Sequence, residues 1–325
     1  MVAAPIFLVA AEQSGSTLLR LMLDCHPDVS FAEEFEYAVE PVTDDGTLPS
    51  VSAIRSYLEM NRSFSTSGFS IDESLSFADM VNGFLSSRQR EAGVPVVGAT
   101  LHYGFAKANM LWPAARYIHL VRDPRDVAPA RMAAGLAGNV WHGLDCWIRA
   151  EDEWAAVAPL IDESRVLTVN FSDLIQDHDS TLTAICRFLG VEYTSQMLAY
   201  ANDTDYQEPS LSVAGDWRLS LSTDEVRLVE ARVGERLGAL GFAPSGHGSA
   251  TLGEGQRRFL RWEDRAGRIA HRLQVFGVRV TAADMIARGL RMERLQRSMR
   301  LRINKAEIAR RKKSWSESAK YRTSR

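Results

Sequence analysis

The strongest constraint on this chain lies at its start. The unbroken apolar run Pro5-Ile6-Phe7-Leu8-Val9-Ala10 is followed closely by Ser14-Gly15-Ser16-Thr17 and then by Leu18-Leu19-Arg20-Leu21-Met22-Leu23. A short run without polar alternation suits a strand buried on both faces, as in a parallel sheet. The leucine-rich segment after it suits a helix. Strand, loop of small residues and helix, in that order, leave consecutive backbone N–H groups aimed at one spot, reinforced by the positive end of the helix dipole. The hydroxyls of Ser14, Ser16 and Thr17 add donors, so the spot suits a phosphate or similar oxyanion. The loop has no lysine at the G-x-x-x-x-G-K-[ST] position, which disfavours an ordinary ATPase or kinase. Taken alone, it reads equally well as a serine-rich helix cap without a ligand.

Further along, Val94-Pro95-Val96-Val97-Gly98, Tyr117-Ile118-His119-Leu120-Val121 and Arg165-Val166-Leu167-Thr168-Val169 read as three more buried strands. Strands alternating with helices predict an α/β fold, a three-layer arrangement in which helices cover both faces of a parallel sheet. Residues 40–93 read as helices and loops capping that sheet. A helix through Thr181–Leu189 is expected to stop at Gly190. Another is expected from Ser222-Thr223-Asp224-Glu225 to near Gly241. Ala243-Pro244-Ser245-Gly246-His247-Gly248 then marks a boundary, dividing the chain into a domain at 1–245 and an extension at 251–325.

With 325 residues, 46% hydrophobic and 24% charged, the chain can bury a full core. Its charge is divided. Residues 251–325 hold 21 Lys and Arg against 7 Asp and Glu, net +14, whereas residues 1–250 hold 17 against 34, net −17. Between Phe259 and Met299, apolar positions such as Met292, Leu295 and Met299 recur at helical spacing among Arg291, Arg294, Arg297 and Arg300, which predicts a basic amphipathic helix. Docking on the acidic body is the expected role, with peripheral membrane contact as the alternative. Nucleic-acid binding is disfavoured, because the rest of the chain is acidic and aromatic interleaving is sparse. The run from Arg310 onward is expected to be disordered. Cys25, Cys146 and Cys186 have neither disulfide-framework nor metal spacing, so no metal is expected. No signal-like or membrane-spanning segment is read, and a cytoplasmic location is expected.

Tyr117-Ile118-His119-Leu120-Val121-Arg122-Asp123-Pro124-Arg125-Asp126-Val127 places Arg122 at the C-terminal end of a predicted strand, the edge where open α/β sheets bind ligands. A salt bridge with Asp123 or Asp126 is the other reading. Together with the first loop, this segment resembles the sulfotransferases that use 3′-phosphoadenosine 5′-phosphosulfate. The resemblance spans roughly residues 5–242 and includes Leu23-Asp24-Cys25-His26-Pro27, Asn170-Phe171-Ser172-Asp173-Leu174, Phe188-Leu189-Gly190 and Gly215-Asp216-Trp217-Arg218. It implies the sulfotransferase fold, related to that of the nucleoside triphosphatases. It also implies that Gln13, Ser14, Gly15, Ser16, Thr17 and Leu18 hold the donor's 5′-phosphosulfate and that Arg122 holds its 3′-phosphate.

The chain departs from the family pattern where polar or cationic groups are usual. Gln13 replaces the Arg or Lys before Ser14, Ala130 replaces a Ser, Thr100 stands where many relatives carry Lys, and Ser210-Leu211-Ser212 replaces Arg-Lys-Gly. Arg20 and Arg116 are the candidate substitutes for the missing cation. A proton acceptor is needed on the acceptor side. The resemblance implies Glu34, in Phe31-Ala32-Glu33-Glu34-Phe35, as in the tyrosylprotein branch. His102, in Ala99-Thr100-Leu101-His102-Tyr103, is the second candidate, one residue out of register with the cytosolic branch. The expected function is sulfuryl transfer to a hydroxyl or amine of a small-molecule acceptor. The alternative is a non-catalytic nucleotide-binding protein on the same fold. Homo-oligomerisation is left open.

Overall fold

The computed structural model describes residues 2–200, 215–290 and 292–322, with the side chains of Glu293, Arg294 and residues 310–322 outside the description. Five strands form one parallel sheet: β1 (Ile6–Ala10), β2 (Val29–Glu34), β3 (Val96–Leu101), β4 (Arg116–Val121) and β5 (Val166–Asn170), in the spatial order β2-β3-β1-β4-β5. The apolar run of β1 is buried on both sides. Phe7 and Val9 enter one core, and Ile6, Leu8 and Ala10 enter the other. The three layers expected from the sequence follow from that two-sided burial.

One core lies against α1 (Ser16–Asp24), α9 (Phe171–Gln176) and α10 (His178–Leu189), the last ending on left-handed Gly190 as its sequence predicts. The other lies against α2 (Val51–Met60), α3 (Arg62–Ser67), α4 (Phe77–Ala92), α5 (Phe105–Leu111), α6 (Pro124–Ala133), α7 (Val140–Gly143) and α8 (Asp145–Val157). After the undescribed segment come α11 (Trp217–Ser220), α12 (Thr223–Val233) and α13 (Arg236–Ala239). Helix α12 opens with a capping box between Ser222 and Glu225.

Strand β2 is an addition to the sequence reading. Val29-Ser30-Phe31-Ala32 is too short to be told from a loop by pattern, and Glu33 and Glu34 interrupt it. Pairing with β3 supplies what the pattern lacks, with a register shift between Ala32 and Glu34. That shift leaves Glu34 opposite Thr100 at the carboxyl edge of the sheet.

The extension is two helices where the sequence suggested one. Helix α14 (Glu254–Gly289) is broken at Gly277, whose φ of 76° and ψ of 168° are not helical. Helix α15 (Glu293–Arg322) begins after a second interruption. Both rest on the domain: Asn139 Nδ2 donates to the Leu260 carbonyl at 2.8 Å, and Arg62 pairs with Glu307 at 2.9 Å. Of the stretch from Arg310 expected to be disordered, the backbone continues α15 to Arg322, while its side chains and residues 323–325 lie outside the description, as do residues 210–212 and Arg291. No helix among the described residues is long and apolar enough to cross a membrane. The three cysteines form no disulfide.

Candidate functional site

Because β1 sits between β3 and β4, the loop after β1 and the residue after β4 share the carboxyl edge at the sheet's switch point, where open α/β folds bind ligands. The loop has an unusual backbone. Gln13 has φ 68° and Gly15 has φ 91°, so two left-handed residues flank Ser14. The cost of a non-glycine residue there is of order 1–3 kcal/mol, and strain of this kind gathers at ligand sites. Helix α1 starts immediately afterwards with no side-chain cap, so its first N–H groups, those of Ser16, Thr17 and Leu18, lack an intrahelical partner. Leu18 belongs to the site through its backbone alone, since its side chain enters the core. The Ser14 hydroxyl is buried and has no hydrogen-bond partner. A buried donor left this way costs about 1–3 kcal/mol. An oxyanion seated on the helix terminus would satisfy it.

Arg122 is joined to this loop. Its Nη1 donates to the Gln13 carbonyl at 2.9 Å, and its guanidinium stands 4.7 Å from the ring centre of Phe171. Its backbone is pinned by Trp147, whose indole N–H donates to the Arg122 carbonyl at 3.0 Å. Burial lowers the pKa of the guanidinium, a tendency opposed by Asp126, Asp123 and Asp216. The rest of the motif has structural work. Buried Arg125 pairs with Asp123 and Glu230 and lies 4.1 Å from the Trp217 ring centre. Asp126 accepts from the N–H groups of Gly215 and Trp217 at 2.8 and 2.9 Å. The Arg-Asp-Pro-Arg-Asp segment and the Gly-Asp-Trp-Arg segment are thus two halves of one contact.

Phe171 closes the cradle from below. A Cβ on Gly15 would lie 2.1 Å from its ring. Gly15→Ala is therefore expected to lose about 2–4 kcal/mol of stability through left-handed strain and overpacking. It also shifts the ring on which Arg122 rests. Urea unfolding of this variant checks the loss; an unchanged midpoint would contradict the packing.

The proton-transfer candidates occupy the β2–β3 side. Ser16 Oγ and His102 Nε2 are 3.0 Å apart. Behind the imidazole, Glu36, in a short turn after β2 (Glu36–Ala38), approaches Nδ1 at 2.9 Å and accepts from the His102 backbone N–H at 2.7 Å. Burial alone would lower the pKa of His102. The hydrogen bond and charge of Glu36, with help from Glu34 and Glu12, outweigh it, and the net shift is upward. Glu34 is half-buried and engaged by Arg62 at 3.0 Å and by the Ser63 hydroxyl at 2.7 Å. The structure thus joins Gln13, Ser14, Gly15, Ser16, Thr17, Leu18, Arg122 and His102 at one edge. It adds Glu36, which lies 66 residues from His102 in sequence and carries no local signal.

The departures from the family pattern have definite surroundings. Thr100 is buried in β3 and its hydroxyl has no partner. Ala130 lies in α6. Arg116 stands at the opposite end of its strand, paired with the Phe188 carbonyl and ring, and takes no part in the site. Arg20 is buried beside Asp24 and Glu33 at 4.0 and 3.6 Å. Arg131, which the sequence reading did not single out, pairs with Glu12 at the root of the loop.

A family model described as "Sulfotransferase family" matches residues 5–195. The chain belongs to the sulfotransferase family. Among curated proteins it is similar to protein-tyrosine sulfotransferase 2 of Gallus gallus, 25% identical over 217 residues, covering 59% of this chain and 53% of the relative. The chain thus spans about half the length of that relative. Two solved sulfotransferase domains share the fold. One is from the Synechococcus PCC 7002 olefin synthase, with 20% identity, 70% of this chain and 93% of that one covered, and a TM-score of 0.50. The other is from the curacin biosynthetic pathway, with 16% identity, 74% and 99% covered, and a TM-score of 0.52. Among the described residues of this sulfotransferase-family chain, no cluster of His, Cys, Asp or Glu is placed to hold a metal ion.

Proposed function

We propose that the chain is a sulfotransferase that uses 3′-phosphoadenosine 5′-phosphosulfate as co-substrate and a small molecule with a hydroxyl or amine as acceptor. The observation that carries the reading is the cradle. An unpartnered buried Ser14 hydroxyl and an uncapped helix terminus face a point beside Arg122, and their chemistry fits a phosphosulfate group. The co-substrate supplies an activated sulfuryl group and a phosphate leaving group. The loop N–H groups and hydroxyls of Ser14, Ser16 and Thr17 bind and orient the phosphosulfate end, and Arg122 suits the 3′-phosphate.

Gln13 can donate a hydrogen bond but brings no charge. His102 offers the charge instead. Glu36 favours its protonated form, in which Nε2 donates to Ser16 and a positive charge stands beside the cradle. Charge build-up on the leaving oxygens is where such a group contributes most. Glu34, at the same sheet edge, takes the acceptor's proton, its carboxylate held by Arg62 and the Ser63 hydroxyl. The resemblance to a tyrosylprotein sulfotransferase supports this assignment without extending to that protein's acceptor.

Calorimetric titration with adenosine 3′,5′-bisphosphate tests the reading. Micromolar binding is expected, weakened at least ~10-fold in Arg122→Gln by loss of a charged hydrogen bond. No binding by the unsubstituted protein would remove the donor assignment and leave a repurposed fold as the better description.

A further inference from the structure

On the α6–α8 side of the loop, a cleft of about 310 Å³ is lined by Arg131, His142, Arg261, Arg265 and Arg268, together with Leu136, Asp145 and Asp264. Its position beside the loop is fixed by Glu12, which Arg131 grips and whose carbonyl faces the Cys146 thiol at 3.9 Å. Three of its arginines come from α14, beyond the family match. That helix is seated closely: a Cβ on Gly267 would lie 2.7 Å from the Gly138 backbone, and one on Gly138 would lie 2.5 Å from the Asp264 carbonyl. Asp264 also accepts from the Gly138 N–H at 2.9 Å. Spacing of four and then three residues puts Arg261, Arg265 and Arg268 on one face of the helix.

The acidic groups of the cleft are already engaged. Asp264 holds Arg268 at 2.6 Å, and Asp145 holds Arg232 and His142 at 2.5 and 3.0 Å. Arg261 and Arg265 have no ion pair among the described residues. Arg131 Nε and His142 Nε2 are buried without hydrogen-bond partners. Two exposed but unpaired guanidinium groups, Arg261 and Arg265, and the orphaned Arg131 Nε lie around one small volume and suit an oxyanion.

We propose that this cleft binds the acceptor through a dianionic phosphate group, so that the acceptor is a phosphorylated small molecule and α14 completes its site. The proposal rests on the donor reading for the role of the adjacent loop. Its binding chemistry stands on the cleft alone. Unlike a diffuse basic surface, the cleft needs a seated helix and two particular arginines.

The test uses the full chain. Adenosine 3′,5′-bisphosphate is titrated to saturation to fill the loop, and inorganic pyrophosphate is then titrated into the same sample. A further binding event is expected, weakened at least ~10-fold in the Arg261→Gln/Arg265→Gln double variant. It should be unchanged in Arg257→Gln/Arg258→Gln, which removes equal charge from equally exposed positions one turn earlier, outside the cleft. Absence of the pyrophosphate event, or equal weakening in both double variants, would overturn the site. Failure of the donor reading would show separately, as absence of the first binding event.

Discussion

Glu34→Gln is expected to reduce turnover by ~10²–10⁴-fold, the range for loss of a positioned general base, while adenosine 3′,5′-bisphosphate binds as before. The amide keeps the size and hydrogen-bonding of the carboxylate but cannot accept the acceptor's proton. Glu34 also holds Arg62, which bridges to Glu307 of the extension, so a slow variant by itself would not separate chemistry from docking. Arg62→Met separates them: it breaks both pairs and keeps the carboxylate. If Glu34 is the base, Arg62→Met retains turnover within a few-fold, because a half-buried ion pair contributes little to positioning. If Glu34 only anchors the extension, the two variants will be equally slow and donor binding will weaken with them. Near-normal turnover in Glu34→Gln would reject the assignment outright.

These surroundings also explain what could be read from the chain in advance. The first strand and its loop were legible because their signal is local: a buried run, small residues and a leucine-rich helix stand in unbroken order. Arg122 was legible because it follows an apolar strand directly. Strand β2 was not, since its four apolar or small residues acquire meaning only through pairing with β3. Glu36 was hidden for a similar reason: it approaches His102 because neighbouring strands end side by side. Arg125 had been part of a motif and proved to be a buried tie to Trp217 and Glu230. The single tail helix failed at Gly277, which the apolar spacing does not mark and where the backbone leaves the helical region. Side-chain contacts between distant segments decide these cases, and no window of sequence contains them.

Replacing His102 with glutamine is expected to slow turnover by ~10²–10³-fold, the usual loss when one charge-stabilising donor at a reacting oxyanion is removed. The pH dependence identifies the mechanism. Burial works against the charged imidazole, but Glu36, Glu34 and Glu12 more than offset it, so its pKa lies above the ordinary histidine value of about 6.5. A raised folded-state pKa means that protonated His102 contributes fully below the unfolded value and that its contribution is lost as pH rises through the folded value. Turnover should therefore fall on the alkaline side as His102 loses its proton. Glu36→Gln removes the main source of the shift, and burial then lowers the pKa, so the same fall should move to lower pH. A histidine acting as base would give the opposite limb, with activity rising as the imidazole becomes neutral. Thermal melting of the unsubstituted protein and of Glu36→Gln across the same pH range supplies an independent check. The stabilising contribution of the His102–Glu36 pair should fade above the ordinary histidine range in the former and be absent in the latter. If the alkaline limb stays in place in Glu36→Gln, the charge against the cradle comes from elsewhere, and Gln13 must work without the imidazolium.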